Sequence, residues 1–227
     1  QTFEQIVRAR DEDLLKAVLQ EGVRPGRYDL LRAAALFELA NVFEELFESL
    51  PEDDQRFLTN DGQSLLRQAA LGGSFEVARF LVDSGADVNR DFPLLAASQE
   101  GRWAVVNLLL EAGASLPPES ETELLGNAAR YGDVPVLQFL LGIGLNENAL
   151  NIRGEHVLHY PAHHEIEAQG ARNWRFLVSR GADPELALCR LDKSTIDHML
   201  EKAPLWYAEV VASVAVDCPA LAIGSDE

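Results

Sequence analysis

The sequence predicts an all-α fold, a solenoid of stacked antiparallel helix pairs, on three observations. Glycines recur in two linked series: Gly73, Gly101 and Gly132 mark one place in a pattern and Gly85, Gly113 and Gly144 another, and both series step by 28 and then 31 residues. Ahead of the first marker stands a small-residue pair, Ala69-Ala70, Ala97-Ser98 or Ala128-Ala129. Behind it runs an apolar segment at helical spacing: Val77, Phe80 and Leu81; Val105, Val106, Leu108 and Leu109; Val136, Leu137, Phe139 and Leu140. Small residues let one helix lie close to its neighbour, large ones fill the space behind, and the glycine lets the chain reverse between them. A fixed period of about 30 residues is the mark of a repeat architecture.

The elements follow in order. Leu14 to Gly22 has the pattern of a second helix and its turn, and Leu30 to Leu50 that of a helix pair without glycine markers. The best-preserved unit runs from Asp61 to Asn89: Ser64-Leu65-Leu66-Arg67, then Ala69-Ala70, then Gly85-Ala86-Asp87. The next has Phe92-Pro93-Leu94-Leu95, Ala97-Ser98, Gly101 and Gly113-Ala114-Ser115, and a third has Leu124-Leu125, Ala128-Ala129, Gly132-Asp133 and Gly144-Leu145. A fourth opens at Gly154-Glu155-His156-Val157-Leu158-His159 and closes at Gly181-Ala182-Asp183, with an insertion around His163 to Gly170. After Pro184, short helices are expected near Glu185 to Arg190 and Ser194 to Lys202. Leu205 to Val216 is expected to fold back as a cap, with fraying from Pro219.

This period and order resemble those of ankyrin repeats, Thr-Pro-Leu-His, Ala-Ala, Gly, Val-Val, Leu-Leu, Gly-Ala-Asp, with Ser64-Leu65-Leu66-Arg67 standing for the opening tetrapeptide, and the chain is similar to a divergent, bacterial-type member of that family. The resemblance covers about residues 1 to 200 and is strongest from 59 to 145. It implies one domain over 1–227 of about five to six units, with degenerate repeats at 1–58, core repeats at 59–183 and a C-terminal cap at 184–227. Divergent ends are expected, because an end repeat shows one face to water.

Composition narrows the function. At 227 residues and 47% hydrophobic the chain can bury a core. Its apolar runs are too short to span a membrane, and its first residues are charged where a secretory leader needs an apolar stretch, which leaves open a leader ahead of Gln1. Two cysteines, Cys189 and Cys218, give neither a disulfide framework nor a metal spacing, which fits reduced thiols in a cytoplasmic protein. The net charge of −18 repels phosphate backbones and anionic lipid, so nucleic-acid and membrane partners are not expected. No nucleophile motif or phosphate-binding glycine loop occurs, and no cofactor is expected. Trp103, Trp174 and Trp206 read as packing residues.

One cluster could carry chemistry: His156, His159, His163, His164 and Glu165. On a helix starting near Pro161, His159 and His163 would share a face and, with Glu165, approach a metal-ligand set; a metal-dependent enzyme is the alternative reading. The resemblance implies instead that His159, at the family's motif histidine, bonds the connector to its helix, and that no metal is held.

The resemblance and the register together point to a concave binding face. With the small pairs buried, the two residues after each pair should emerge there: Leu71 and Gly72, Gln99 and Glu100, Arg130 and Tyr131, and His163 and His164. Connector tips add Asn60, Gln63, Arg90, Asp91, Arg153 and Glu155. Tyr131, aromatic with a polar tip, is the expected anchor. The partner expected is a protein; the resemblance leaves both a general adaptor and an immunity protein or inhibitor open, and charge favours the latter somewhat, acting as a monomer on a basic toxin or enzyme.

Overall fold

The structure, a computed structural model, describes residues 27–60, 65–116, 118–151, 153–163, 167–188, 205–207 and 210. The expected helices at Leu14 to Gly22 and Ser194 to Lys202, Cys189, Cys218 and most of the expected cap lie outside them. The chain forms two compact units, Gln1–Leu116 and Pro117–Glu227. No strand occurs among the described residues; an antiparallel bridge joins Leu150 and His156.

In the first unit, α1 (Arg27–Leu36) and α2 (Ala40–Glu48) form the expected pair without glycine markers, followed by α3 (Glu52–Asn60). The pair α4 (Leu65–Gly72) and α5 (Phe75–Asp83) comes next, then α6 (Pro93–Gln99) and α7 (Trp103–Glu111). First helices stack on first helices, α1 on α4 on α6. Their meeting surfaces are the small residues Ala34, Ala35, Ala69, Ala70, Ala96 and Ala97, all buried. Behind them the second helices bury Val42 and Phe43, Val77 and Leu81, and Val105 and Leu109. Phe80 of α5 meets Phe43 and Phe47 of α2 edge-on, at centroid distances of 6.0 and 5.4 Å, which adds directional ring contacts to the area buried.

Side chains tie each repeat to its neighbour. Ser74 Oγ donates to the carbonyl of Ala35 at the end of α1, and Arg102 Nε donates to Leu71 O at 3.4 Å. Asn89 Oδ1 in one connector accepts from the backbone N–H of Ser115 in the next, at 2.8 Å. These bonds give partners to groups that helix ends and turns leave unpaired. Gly73, φ +80°, makes the reversal from α4 to α5 in the left-handed region.

The second unit opens with α8 (Pro118–Tyr131) and α9 (Val134–Gly142), whose N-cap Asp133 accepts from Val136 N at 3.2 Å. Where the sequence suggested a helix beginning near Pro161, the fourth repeat has a 3-10 helix, η1 (Val157–His163), with Pro161 inside it. α10 (Glu167–Ser179) and α11 (Pro184–Leu188) follow. The Tyr160 ring of η1 lies on Gly126 of α8, where a Cβ would come within 2.7 Å of it. Asn173 of α10, fully buried, donates through Nδ2 to Ala129 O and Gly132 O, both at 3.1 Å, and closes the C-terminus of α8. The half-buried Trp174 and Trp206 meet edge-on at 6.4 Å, and Tyr207 is buried beside Trp206.

Candidate partner-binding surface

The small pairs fix which residues can face a partner. Ala97-Ser98 is buried at the end of α6, and the two residues that follow, Gln99 and Glu100, are exposed. Ala128-Ala129 is buried at the end of α8, and Arg130 and Tyr131 after it are exposed, Tyr131 at 39%. The Arg130 guanidinium carbon stands 4.9 Å from the centroid of the Tyr131 ring, a cation–π contact that holds the ring at the surface.

The best-preserved repeat departs from this rule. Leu71 is half-buried, and Gly72 is buried so close to α1 that a Cβ would overlap the carbonyl of Leu36. Gly72 is therefore a close-approach glycine between two helices and not part of an exposed pair. Its sequence context gives no sign of this, because the residue it meets lies in another repeat.

The connector residues also differ in their exposure. Asp91 and Arg153 are exposed, and Arg90 is half-buried. Glu155 is half-buried and engaged within its own connector: Oε2 accepts from Asn151 Nδ2 at 2.6 Å and from the Tyr160 hydroxyl at 3.3 Å. Burial and the Glu155 charge raise the Tyr160 pKa to about 12, so the phenol stays protonated as that donor. Gln63, His164 and the side chains of Asn60 and His163 lie outside the described residues. Phe92, which the sequence reading passed over as part of an opening tetrapeptide, is 54% exposed at a connector tip with φ +53° beside Asp91 at φ +57°. Two successive left-handed residues carrying Cβ atoms are costly, and the extended backbone ordinarily favoured before a proline such as Pro93 gives no sign of them in the sequence.

The histidine cluster divides into structural bonds. The backbone N–H of Leu158 donates to His156 Nδ1 at 3.2 Å, which leaves the proton on Nε2 to bond Asn148 Oδ1, also at 3.2 Å. The connector bond that the resemblance assigned to His159 thus belongs to His156. His159 Nε2 instead reaches forward to the carbonyl of Ala187 at 2.7 Å, tying η1 to α11. Among the described residues no group of three His, Cys, Asp or Glu side chains is placed to hold a metal ion, and Glu165 lies outside them. No described helix is long and apolar enough to cross a membrane.

Comparisons with known proteins agree with this geometry. A family model described as ankyrin repeats (3 copies) matches residues 30–120. The human transient receptor potential cation channel subfamily A member 1 is 37% identical over 65 residues, 26% of this chain. That stretch is 6% of the channel, so the chain spans a small part of this relative. The crystal structure of the human ASB11 ankyrin repeat domain is similar with a TM-score of 0.55 and 21% identity, over 80% of this chain and 85% of that one, a likeness of fold.

Proposed function

Because this chain belongs to the ankyrin repeat family, whose repeats generally serve as protein–protein interaction modules, we propose that it is a non-catalytic binding protein whose two units act as one repeat domain. It holds its partner through the exposed ends of its first helices and its connector tips. The observation that supports this reading is the repeated sequence of a buried small pair followed by an exposed polar or aromatic pair, Gln99-Glu100 in the first unit and Arg130-Tyr131 in the second. Exposed side chains at periodic positions can specify a partner. Leu71, Arg90, Asp91, Arg153 and Glu155 complete the described part of the surface, with Asn60, Gln63, His163 and His164 beside them in sequence.

The net charge of −18 favours a basic partner, a toxin or enzyme that this chain neutralises as an inhibitor of the immunity-protein kind. Such a protein acts as a monomer in the cytoplasm and needs no cofactor. The test starts from the protein that the full chain captures from its own lysate. Combining Tyr131→Ala with Glu100→Lys should weaken that complex by roughly 2 kcal/mol while the thermal melting curve stays in place. Unchanged affinity, with binding lost instead on replacing Arg79 or Asn107 on the outer side of the second helices, would move the site to the opposite surface.

A further inference from the structure

The outer side of the second helices is not uniform in charge. In the first unit α5 exposes Glu76, Arg79 and Asp83, and Arg79 is paired with Asp83 at 3.8 Å. In the second unit α9 and the turn after it, residues 134–145, contain no charged residue at all. Pro135, Phe139 and Ile143, spaced four apart and so on one stripe of the helix, are exposed, Phe139 at 38% and Ile143 at 49%. The stripe is about 12 Å long at the helical rise.

Beside it lies a row of opposite character to the chain as a whole. α10 packs against α9 and turns Asn173 inward to the carbonyls at the end of α8. Its outward side carries Arg172 and Arg175, with Arg180 just past its end, all exposed. Arg172 is bonded to Gln169 Oε1, a neutral oxygen, and no described carboxylate forms an ion pair with any of the three. Arg180 has the carboxylate of Glu147 close by, which lies against Gly181, so Arg172 and Arg175 are the cations without a described acidic neighbour. A helix with an exposed apolar stripe, packed against a helix that exposes such arginines, is unusual in a chain of net charge −18.

We propose that this outer surface of the second unit is a docking site for an acidic amphipathic helix of another protein. Adjacent helices lie about 8–10 Å apart, so a helix laid along α9 can set its apolar stripe on Phe139 and its flanking carboxylates on the arginines. An anionic bilayer would offer the same two chemistries, but as an extended plane it also meets the rest of a chain of net charge −18 and is repelled. A helix about 10 Å wide touches the patch alone, and charges beyond a Debye length are screened.

The test uses the full chain and a fluorescent synthetic amphipathic helix of about 18 residues with a leucine stripe and flanking glutamates. Binding is read by anisotropy. The peptide should bind, weaken as salt rises, and lose about tenfold or more in affinity with Phe139→Glu or Arg175→Glu. The milder Ile143→Ser should act in the same direction, and unchanged circular dichroism and melting curves verify that each variant is folded. Tyr131→Ala should leave peptide binding unchanged, which separates this site from the face proposed above. Absent binding, binding insensitive to all three variants, equal Phe139 and Arg175 dependence for a lysine-for-glutamate peptide, or co-sedimentation with phosphatidylserine vesicles in place of peptide binding would each overturn the proposal.

Discussion

Burial holds the ring of His156 neutral: it lowers the pKa from 6.5 to about 4, helped by the charge of His159 and opposed by Asp183. A proton added at Nδ1 would face the Leu158 N–H, donor against donor. The unfolded chain takes up that proton near pH 6.5 and the folded one only near pH 4, so the unfolded state binds more protons in between. Stability therefore falls as pH drops through this window, by up to about 3 kcal/mol from this residue. Urea midpoints at about pH 7 and about pH 5 should drop further for the natural chain than for His156→Gln, since the acid loss from carboxylates is common to both. Equal drops would show that the ring titrates normally. Little of this was legible beforehand. A histidine was expected to brace the connector, but choosing between His156 and His159 required the folded positions of Asn148, eight residues before His156, and of Ala187, 28 residues after His159.

Among the elements, α4 to α9 were legible because their punctuation is local. Gly73, Gly85, Gly101, Gly113 and Gly144 all take positive φ, where glycine is the low-cost residue, and apolar spacing gives the helix between them. Helix α3 was not anticipated, because among its described side chains only Leu58 is buried. Yet Glu52, Asp53 and Asp54 in a first turn directly after Pro51 are themselves a helix-start signal that complements the helix dipole. The stacking of α4 between α1 and α6 sets a firm expectation. Ala70 is fully buried there, so Ala70→Leu should overpack it and cost about 1–3 kcal/mol. A denaturation midpoint that does not move would mean the small pairs are not the contact surface.

For the whole molecule the dominant quantity is charge. With a net −18 from 37 acidic and 19 basic residues, a basic partner feels an attractive field before contact. Stopped-flow association with the captured partner should slow several-fold from low to physiological salt while dissociation changes little; a rate indifferent to salt would remove charge from the account of recognition. The bonds that hold the fold are, by contrast, short in reach. Ser74 finds Ala35, Arg102 finds Leu71 and Asn89 finds Ser115, while in the second unit Asn173 finds Ala129 and Asn148 Oδ1 accepts from the backbone N–H of Asp183. Each of these ties ends in the adjoining repeat. A gene segment copied in frame, one period long, would thus present its neighbours with the donors and acceptors they already meet. Lengthening such an array breaks no existing bond, and heredity can adjust the number of repeats without first solving a new fold.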